Sequence, residues 1–542
     1  MEGSPGKVEG QGAQVPMAPR GSRRLLYVSD PSSIAGGVLP DPVEADDLRR
    51  WTDMLADSGV DIFQQDAYHK GCTVYWRSDQ FQYDPRRQHR RFLPMLDAGI
   101  QPLQVLLDQS HKRGMAFVAG FRMNDNHGRA HFPDRAEFVE SHPEWWLPDT
   151  REDGPNRDLY EGRLLDFTFD EVREFILEVA RELVSRFDVD GLEMTFREPA
   201  YFPFPEGRHR AHLMTDLVRR LRGLLDENSQ TRYQGKIQLG ARVFSSLDEC
   251  LDMGLDVPTW IAEDLIDNLS PQNTMYSDFN APYAEFGILA RNSQCMLYPG
   301  LHPWVSDRRR RILKSAMTPS NSRALAHTFY GAGADGISIY NHYVGFLRFP
   351  PFYPQALQIF HELRDPSRVA GGERHYVFDP PEENWGKLLA NQPEGDLPEG
   401  EWKRLAWKRD AKAGPDGWTA GAVKAPRVVL DRNVPKPSGV YRFRLYERMG
   451  DLVQATLLLR GSLTEKDEVK VELNGSPMTP ALLGTSDTTY MTNRPADLRW
   501  YPVPPTAMTF GENQLSITLT SGAPEASGEI VIDELEIWVQ PK

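Results

Sequence analysis

Short apolar segments alternate with longer amphipathic ones from about residue 24 to residue 365. The apolar segments are rich in Val, Ile, Leu and Phe and end in polar residues. Eight of them can be counted: RLLYVSD, VDIFQQDAY, MAFVAGFRMND, DGLEMTFRE, IQLGARVF, LIDNLSP, CMLYPGLHP and GISIYNHY. Nearly continuous apolar runs of this length are typical of strands that are buried on both faces of a parallel sheet.

The segments between these strands have helical periodicity. The clearest follows Phe169, where apolar residues recur every three or four positions from Val172 to Phe187. The predicted helices are Glu44–Ser58, Gln101–Arg113, Asp170–Phe187, Arg208–Asn228, Ser246–Met253, Ala281–Asn292, Pro319–Gly331 and Tyr353–Leu363. A strand–helix unit repeated eight times predicts a (β/α)8 TIM barrel, and therefore the α/β class.

The pattern changes after the barrel. Residues 380–424 are rich in Pro, Gly and charged residues, and from about residue 425 polar and apolar positions alternate with period two, as in YRFRLY and NQLSITL. The C-terminal segment is therefore predicted to be an antiparallel β-sandwich domain. The predicted organisation is a disordered tail at 1–23, a catalytic barrel at 24–379, a linker or accessory strands at 380–424 and the sandwich at 425–542.

Composition excludes several classes of protein. Lys and Arg number 62 against 77 Asp and Glu, so the net charge is −15, which disfavours non-specific nucleic-acid binding. No apolar run is long enough to cross a membrane. The N-terminal residues have no apolar leader segment, so the sequence as written fits a cytoplasmic protein, or a secreted or periplasmic one if a leader is missing. The three cysteines form no metal-binding pattern, and reduced core thiols are expected.

In a TIM barrel the active site lies at the C-terminal ends of the strands. Glu193 stands out there, because alternation in GLEMTF places Glu193 and Thr195 on one face and Leu192 and Met194 on the other. If the apolar pair packs against the helices, Glu193 points into the barrel. A carboxylate at that position is either functional or paired with Arg122 or Arg242, and both can be true.

The polar run RMNDNHG follows the third apolar segment directly and offers Asp125 as a second carboxylate; the alternative is a turn that caps the strand. Asp125, His127 and His131 also have a spacing that could bind zinc, but His131 lies beyond a predicted turn, so no metal is predicted. No GxGxxG follows a predicted strand, the motifs GxxxxGK[ST], HExxH and GxSxG are not found, and no cofactor is predicted.

The remaining residues at the strand ends combine carboxylates, guanidinium groups, imidazoles and aromatic rings, which suits a carbohydrate ligand. Guanidinium groups would also fit an anionic sugar. The predicted substrate-binding residues are Asp66, Arg122, Asn124, His127, Trp146, Arg197, Arg242, His302, Tyr340, Asn341 and His342.

The run HPEWWL, followed by LDFTFDEVREFILEVARELVSRFDVDGLEMTFREPAYF, resembles the bacterial glycoside-hydrolase-like barrel proteins known as family 10-like. The C-terminal sandwich is similar to the β domain that often follows such barrels. The resemblance implies a glycosidase and carries over to Glu193. Many members have an acidic residue two positions later, where this chain has Thr195, so the second carboxylate must come from elsewhere, with Asp125 first and Asp66 second.

These observations predict a glycoside hydrolase that cleaves an oligo- or polysaccharide. Glu193, its pKa raised by burial, would be the acid, and Asp125 its partner. Glu193→Gln is expected to abolish turnover and leave the melting temperature nearly unchanged. The alternatives are a carbohydrate-binding barrel or degenerate hydrolase without catalysis, and a lyase or isomerase that uses His127 or His342 as base.

Overall fold

The computed structural model describes most of the chain. The described residues are 20–125, 136–147, 164–196, 201–203, 206–230, 232, 235–273, 276–306, 315–347, 349–378, 428–448, 450, 453–464, 466–481, 498–522 and 528–541. Nearly all of the predicted tail and the whole of the predicted linker at 380–424 lie outside these ranges.

A closed parallel sheet forms the first part of the molecule. Its strands are β1 (Leu25–Ser29), β2 (Ile62–His69), β4 (Ala116–Arg122), β5 (Gly191–Thr195), β6 (Gln238–Val243), β7 (Asn268–Pro271), β8 (Met296–Leu297), β9 (Gly300–Leu301) and β10 (Ile337–Tyr340). The hydrogen-bonded order is β8-β7-β6-β5-β4-β2-β1-β10-β9. Strands β8 and β9 are two halves of the seventh barrel strand, so the eight predicted strands and the TIM-barrel fold are confirmed. A short strand β3 (Thr73–Val74) pairs with the end of β2.

Helices surround this sheet. They are α1 (Pro31–Gly37), α2 (Ala45–Asp57), α3 (Leu93–Asp97), α4 (Pro102–Lys112), α5 (Glu137–Glu140), α6 (Asp170–Arg186), α7 (Gly207–Ser229), α8 (Leu247–Asp252), α9 (Val257–Ala262), α10 (Tyr283–Arg291), α11 (Pro319–Ala332), α12 (His342–Phe346), α13 (Phe360–Leu363) and α14 (Pro366–Gly371). Short 3₁₀ turns occur at Arg20–Ser22, Lys70–Cys72, Arg87–Phe92, Pro143–Trp145 and Gln355–Ile359. The predicted helices agree with these bounds to within one or two residues, except at Tyr353–Leu363, where a 3₁₀ turn precedes a single helical turn.

Local chemistry explains where the helices begin and end. Helix α6 has Asp170 and Glu171 in its first turn and Arg186 in its last, so these charges interact favourably with the helix dipole. Helix α11 begins with a capping box between Thr318 and Asn321 and ends at Gly333, whose φ of 104° is a left-handed conformation that favours glycine.

Alternation along the strands divides the barrel interior into two levels. Toward the N-terminal ends of the strands, a small apolar cluster fills the barrel. It consists of Leu26, Val28, Ile62, Ala116, Val118, Tyr298 and Tyr340. Further along β2 the inward residues are Gln64 and Asp66, and beside them β4 has Gly120 and then Arg122, so the interior changes from apolar to charged toward the C-terminal ends. The outer faces of the strands belong to the main core that packs against the helices.

The C-terminal part is a pair of antiparallel sheets, which confirms the predicted sandwich. Its strands are β11 (Arg374–Val377), β12 (Val428–Asp431), β13 (Ser438–Leu445), β14 (Val453–Gly461), β15 (Glu468–Leu473), β16 (Ser476–Met478), β17 (Leu498–Val503), β18 (Gly511–Ser521) and β19 (Glu529–Pro541). One sheet has the order β11-β19-β14-β17 with β12 also on β19, and the other has the order β13-β18-β15-β16. Strand β11 precedes residue 379 in sequence but pairs with β19 over its whole length.

The three cysteines, Cys72, Cys250 and Cys295, are buried and unbridged, as the sequence predicts. Among the described residues, no helix is both long enough and apolar enough to cross a bilayer.

Candidate active site

Glu193 lies inside the barrel and is ion-paired. Its side chain is 2% exposed, and its Oε1 accepts hydrogen bonds from Gln64 Nε2 at 2.7 Å and Arg242 Nε at 2.8 Å. Arg242 Nη2 also donates to Oε2 at 3.3 Å, and Thr195 Oγ1 donates to Oε1 at 3.3 Å. Of the two interpretations of Glu193 that the sequence leaves open, the ion pair with Arg242 is therefore present.

Arg242 connects Glu193 to the opposite wall of the barrel. Its Nη1 donates to Gln272 Oε1 at 2.7 Å and its Nη2 to Ser338 Oγ at 2.8 Å. The guanidinium carbon lies 5.3 Å from the centre of the Tyr340 ring, within range of a cation–π interaction. Arg242 is fully buried, and each of its three guanidinium nitrogens donates a hydrogen bond within the barrel.

Asp66 is a second carboxylate at the same level of the barrel. It is 0% exposed, and neither of its oxygens has a hydrogen-bond partner among the described residues. Burial raises the pKa of Asp66 to about 7; Arg122 and Arg242 act against this rise, while the charges of Asp30 and Glu193 add to it. Near neutral pH, Asp66 is therefore a carboxyl group that can both donate and accept a proton.

Two glycines make room for these carboxylates. Gly120 pairs with Asp66 on one side and with Glu193 on the other, and Gly240 pairs with Glu193 on its far side. A Cβ on Gly120 would lie 2.5 Å from Asp66 Oδ1 and 2.9 Å from Gln64 Nε2. A Cβ on Gly240 would lie 3.3 Å from the Glu193 side chain. A larger residue at Gly120 would therefore fill the space that the Asp66 carboxylate occupies.

The same contacts limit the separation of the two carboxylates. A Cβ on Gly120 would lie 2.5 Å from Asp66 Oδ1 and 2.9 Å from Gln64 Nε2, and Gln64 Nε2 lies 2.7 Å from Glu193 Oε1. The sum of these three distances means that Asp66 Oδ1 and Glu193 Oε1 are at most about 8 Å apart. Paired carboxyl groups of glycosidases are separated by about 5–5.5 Å in retaining enzymes and about 6.5–9.5 Å in inverting ones. The limit is compatible with either geometry.

Asp125 has a different environment. Its Oδ2 lies 2.5 Å from Arg122 Nη2, and Arg122 Nη1 is 3.5 Å from Asp30 Oδ2. Asp30 is also the N-cap of α1, where its Oδ1 accepts from the Ser32 backbone N–H at 2.8 Å. Asp30, Arg122 and Asp125 thus form a carboxylate–guanidinium–carboxylate group at the rim. Asp125, expected to be the first partner of Glu193, is instead bound to Arg122.

Two of the predicted substrate-binding residues have structural contacts. Both atoms of the Asn124 amide bind the Leu165 backbone, with Nδ2 donating to its carbonyl and Oδ1 accepting from its N–H, each at 2.9 Å. Trp146 is 7% exposed, packs in the main core and donates from Nε1 to the Val139 carbonyl at 2.8 Å. Neither the Asn124 amide nor the Trp146 ring presents an open surface to a sugar in this arrangement.

His342 also differs from the prediction. It is 2% exposed, its ring packs against Phe346 and Phe360, and its Nδ1 lies 2.7 Å from the Tyr353 hydroxyl. Burial lowers the pKa of His342 to about 3, so the imidazole is neutral at ordinary pH. Tyr353 in turn bonds Tyr27 of β1 at 3.2 Å. His342 thus belongs to the packing between β1 and the surrounding helices, which places its ring away from the barrel interior.

His302, Tyr340 and Asn341 lie near the polar level. His302 Nε2 is 2.9 Å from the Asn273 carbonyl and 3.2 Å from Gln272 Nε2, and its ring is edge-on to Tyr340. Asn341 is half-buried with a φ of 52° and lies at the start of α12. His127 and Arg197 lie outside the described residues.

Sequence reasoning missed Gln64, although a signal was available. Because side chains of a strand alternate, an inward Asp66 implies that Gln64, two residues earlier, faces the same way. It also missed a buried cluster in which the Nδ1 of His69 and the Nε2 of His89 each lie 3.3 Å from Asp84 Oδ2. These three residues present metal-ligand atoms within 4.8 Å of one another, and the guanidinium of Arg86 lies among them.

A groove of about 1410 Å³ lies on the outer side of α6. It is lined by Phe81 and Phe138 and by acidic residues of the helix such as Glu174 and Glu178. Because α6 packs on the outside of the sheet, this groove is separate from the polar level inside the barrel.

Comparison with known families gives one match by sequence. Residues 60–206 match the family described as glycosyl hydrolase-like 10. The matched segment extends from β2 to the start of α7 and contains Asp66, Arg122, Asp125 and Glu193. It confirms that this part of the chain is glycoside-hydrolase-like. No curated protein matches the chain.

Solved structures of carbohydrate-active enzymes align with the chain at low similarity. Alpha-L-fucosidase isoenzyme 2 from Paenibacillus thiaminolyticus aligns at 11% identity and a TM-score of 0.42, over 65% of this chain and 51% of that one. A cycloisomaltooligosaccharide glucanotransferase from Paenibacillus sp. aligns at 10% identity and 0.33, over 95% and 57%. An alpha-amylase from Geobacillus thermoleovorans aligns at 12% identity and 0.38, over 96% and 99%. The chain thus spans about half the length of the first two, and these scores support no inference about substrate.

Proposed function

We propose that this protein hydrolyses a glycosidic bond, with Asp66 as the general acid and Glu193 as the ionised carboxylate. The observation that carries the proposal is Asp66 itself. It is a fully buried carboxyl group without a hydrogen-bond partner among the described residues, and it lies within about 8 Å of a second carboxylate. An unpartnered buried carboxyl group is costly to the folded state, which favours a functional reason for its presence.

The environments of the two carboxylates support different roles. Glu193 accepts two hydrogen bonds from Arg242, and a guanidinium partner favours the charged form of a carboxylate. The pKa of Asp66, raised to about 7 by burial, keeps a large fraction of that group protonated near neutral pH. A protonated carboxyl group beside an ion-paired carboxylate is a basis for assigning acid and base. The sequence suggested Glu193 as the acid, whereas in this assignment Asp66 is the acid and Glu193 is the ionised carboxylate.

In the proposed reaction, Asp66 gives its proton to the glycosidic oxygen as the bond to the anomeric carbon breaks. Glu193 either forms a covalent bond to that carbon, which water then hydrolyses, or removes a proton from the attacking water. Asp66 regains its proton from water in the first case. In the second case the proton returns through Glu193 and solvent. Gln64, Thr195 and Arg242 hold the Glu193 carboxylate in place.

The experiment is a screen for reducing ends released from a panel of plant, fungal and bacterial glycans. Asp66→Asn and Asp125→Asn make the same chemical change at two buried sites of the barrel. We expect Asp66→Asn to lose about 10²–10⁴-fold in kcat, the usual contribution of a general acid, while Asp125→Asn keeps measurable turnover. The opposite ranking of the two variants would show that Asp125 is the acid.

The closed hydrogen-bonding around Glu193 favours one alternative, a barrel that binds a sugar without cleaving it. Glu193 is only 2% exposed and already has three side-chain donors. In that case the wild-type protein would show a thermal shift with a glycan of the panel but release no reducing ends, and Asp66→Asn would bind as tightly as the wild type.

A further inference from the structure

The cluster of His69, Asp84, Arg86 and His89 is buried beside the proposed active site, but the proposed reaction does not use it. Each of the four side chains is at most 3% exposed. Arg86 Nε lies 2.8 Å from both oxygens of Asp84, and Arg86 Nη2 also donates to Asp84. The Arg86 guanidinium therefore balances the charge of the Asp84 carboxylate.

Arg86 fixes the protonation of His69. Its Nη2 lies 3.0 Å from His69 Nδ1 and 3.3 Å from His89 Nε2. A guanidinium nitrogen can only donate hydrogen bonds, so a bond to His69 requires a lone pair on Nδ1. His69 Nδ1 also lies 3.3 Å from Asp84 Oδ2, but the contact with Arg86 is shorter and has the geometry of a hydrogen bond, so His69 is neutral with its proton on Nε2. Burial lowers the pKa of His69 well below its usual value, which also favours the neutral form.

His69 lies on the side of the strand that faces the site. It is the last residue of β2, and the ring of its neighbour Tyr68 packs outward against Phe175 of α6. A register shift between Asp66 and Tyr68 marks a bulge in β2, so these two residues face opposite sides of the sheet although they are two positions apart. Because His69 follows Tyr68 and successive side chains alternate, His69 shares the face of Asp66. Asp30 influences the pKa of both His69 and Asp66, which indicates that all three are close. His69 Nε2 has no hydrogen-bond partner among the described residues.

The balance of charge at the site points to the nature of the ligand. Among the described residues, the carboxylates of the site are Asp30, Asp66, Asp125 and Glu193, and the guanidinium groups that face them are Arg122 and Arg242. Both guanidinium groups are ion-paired, Arg122 with Asp30 and Asp125 and Arg242 with Glu193. Even with Asp66 protonated, the described residues carry more negative than positive charge there. Among these described groups both guanidinium groups are already paired with protein carboxylates, which disfavours their pairing with a carboxylated or sulfated sugar, whereas a neutral donor such as His69 suits a hydroxyl group.

We infer that the site binds an uncharged sugar unit and that His69 donates a hydrogen bond from Nε2 to one of its hydroxyl oxygens. This inference rests on the proposed function, since it describes the same site. It differs from the anionic sugar suggested by the arginines in the sequence: the structure pairs Arg122 and Arg242 with carboxylates, and Arg197 lies outside the described residues.

The first test compares matched neutral and anionic glycans. Binding of cello-oligosaccharides and their carboxymethylated counterparts, and of xylo-oligosaccharides with and without glucuronic acid branches, is measured by calorimetry on Asp66→Asn, which separates binding from turnover. In any pair that binds, we expect the neutral member to bind at least 10-fold more tightly. An anionic member that binds as tightly or more tightly would overturn the inference, even if cleavage of glycans confirms the proposed function.

The second test examines His69 directly. His69→Leu removes the donor and is expected to raise KM about 10-fold or more with a smaller change in kcat, whereas His69→Gln offers an amide N–H and should recover most of the affinity. A purely structural role would change the melting temperature of both variants without this split between KM and kcat. Equal KM values for the Leu and Gln variants would contradict a donor role.

The third test needs neither a substrate nor a variant. Nitrogen-15 NMR of histidine-labelled wild-type protein reports which ring nitrogen of His69 carries the proton. We expect the proton on Nε2. A proton on Nδ1 would overturn the inference whatever the glycan screen shows. A correct tautomer with no glycan cleaved or bound would instead count against the proposed function.

Discussion

Two buried Arg–Glu pairs in this molecule have nearly the same geometry but different surroundings. One is Arg242–Glu193 inside the barrel. The other is Arg374–Glu447 between the barrel helices and the sandwich, where Arg374 Nε lies 2.5 Å from Oε1 and Nη2 lies 3.1 Å from Oε2. All four side chains are at most 3% exposed. In both pairs the guanidinium approaches both carboxylate oxygens, which is the strong arrangement for this interaction.

The surroundings separate the two pairs. At the junction, Tyr376 donates to Glu447 at 2.5 Å, and Arg374 Nη1 donates to the carbonyls of Ala370 and Gly372. Inside the barrel, Asp66 adds a second carboxylate within the reach of the Arg242 charge, and it has no hydrogen-bond partner among the described residues. A buried ion pair alone is thus no sign of catalysis. The feature that indicates catalysis is the second carboxylate beside the pair, Asp66.

The largest effect is expected from Glu447→Gln. Removing one charge of a buried pair leaves the other uncompensated, at a cost of about 3–5 kcal/mol in the free energy of unfolding. Urea denaturation measures this cost. Activity on whichever glycan is cleaved should not change at temperatures where the variant stays folded, because Glu447 is remote from the barrel interior. A loss of kcat in folded Glu447→Gln would mean that the two pairs are not functionally distinct.

Glu193→Gln makes the same change inside the barrel and should cost less stability, about 2 kcal/mol. Asp66 can then ionise and compensate the charge of Arg242, since the charge of Glu193 is one of the factors that raise the pKa of Asp66. Kinetic assays should nonetheless show that turnover is abolished. From the sequence alone, Glu193→Gln is expected to leave the melting temperature nearly unchanged. The ion pair with Arg242 replaces this with an expected loss of stability. The control is the same substitution made in Asp66→Asn, where no carboxyl group is left to compensate Arg242, so Glu193→Gln should there cost as much stability as Glu447→Gln costs the wild type. Equal losses in the two single variants would show that Asp66 does not compensate.

The pH dependence of stability offers a separate test of Asp66. Its pKa is about 7 in the folded protein and lower, near 3.8, when the chain is unfolded. Between these values the folded state binds more protons than the unfolded state, so this group makes stability fall as pH rises from about 4 to about 7. Asp66→Asn removes that dependence. The variant should therefore become more stable than the wild type across this window, by up to about 3–4 kcal/mol at pH 7 and above.

Chemical denaturation at several pH values measures this difference. Asp125→Asn is the matched control, because Asp125 is bound to Arg122 and its replacement should destabilise the protein at neutral pH. If the difference in stability between the wild type and Asp66→Asn does not change between pH 4 and 7, Asp66 is ionised throughout that range.

The sequence predicted the barrel well because its signals are local. Each buried strand is a continuous apolar run, and each helix has its own periodicity and caps, so the eight strands were found in order. The division of the seventh strand into β8 and β9 was not predicted. Pro299 lies between the halves, and it lacks the N–H that a continuous ladder needs.

The site was harder to predict because its pairings join distant parts of the chain. The sequence offered both Asp125 and Asp66 as partners for Glu193, and nothing local shows that Arg122 binds Asp125 and leaves Asp66 without a partner. Likewise, His342 was expected at the rim. Its ring is instead buried by residues such as Phe360, whose position depends on how the last helices pack.

The smallest effect is expected at Trp146, which the sequence assigned to sugar stacking. Trp146→Phe removes the hydrogen bond from Nε1 to the Val139 carbonyl and leaves that carbonyl without this donor, which should lower the free energy of unfolding by about 1–2 kcal/mol. Glycan affinity should not change, since the Trp146 ring is 7% exposed and packs within the main core. Thermal denaturation and calorimetry measure the two quantities, with Trp145→Phe as the neighbouring control, because Trp145 is only half-buried and stacks on His142. A loss of sugar affinity in Trp146→Phe without a loss of stability would restore the stacking role, and the sugar site would then extend beyond the polar level of the barrel.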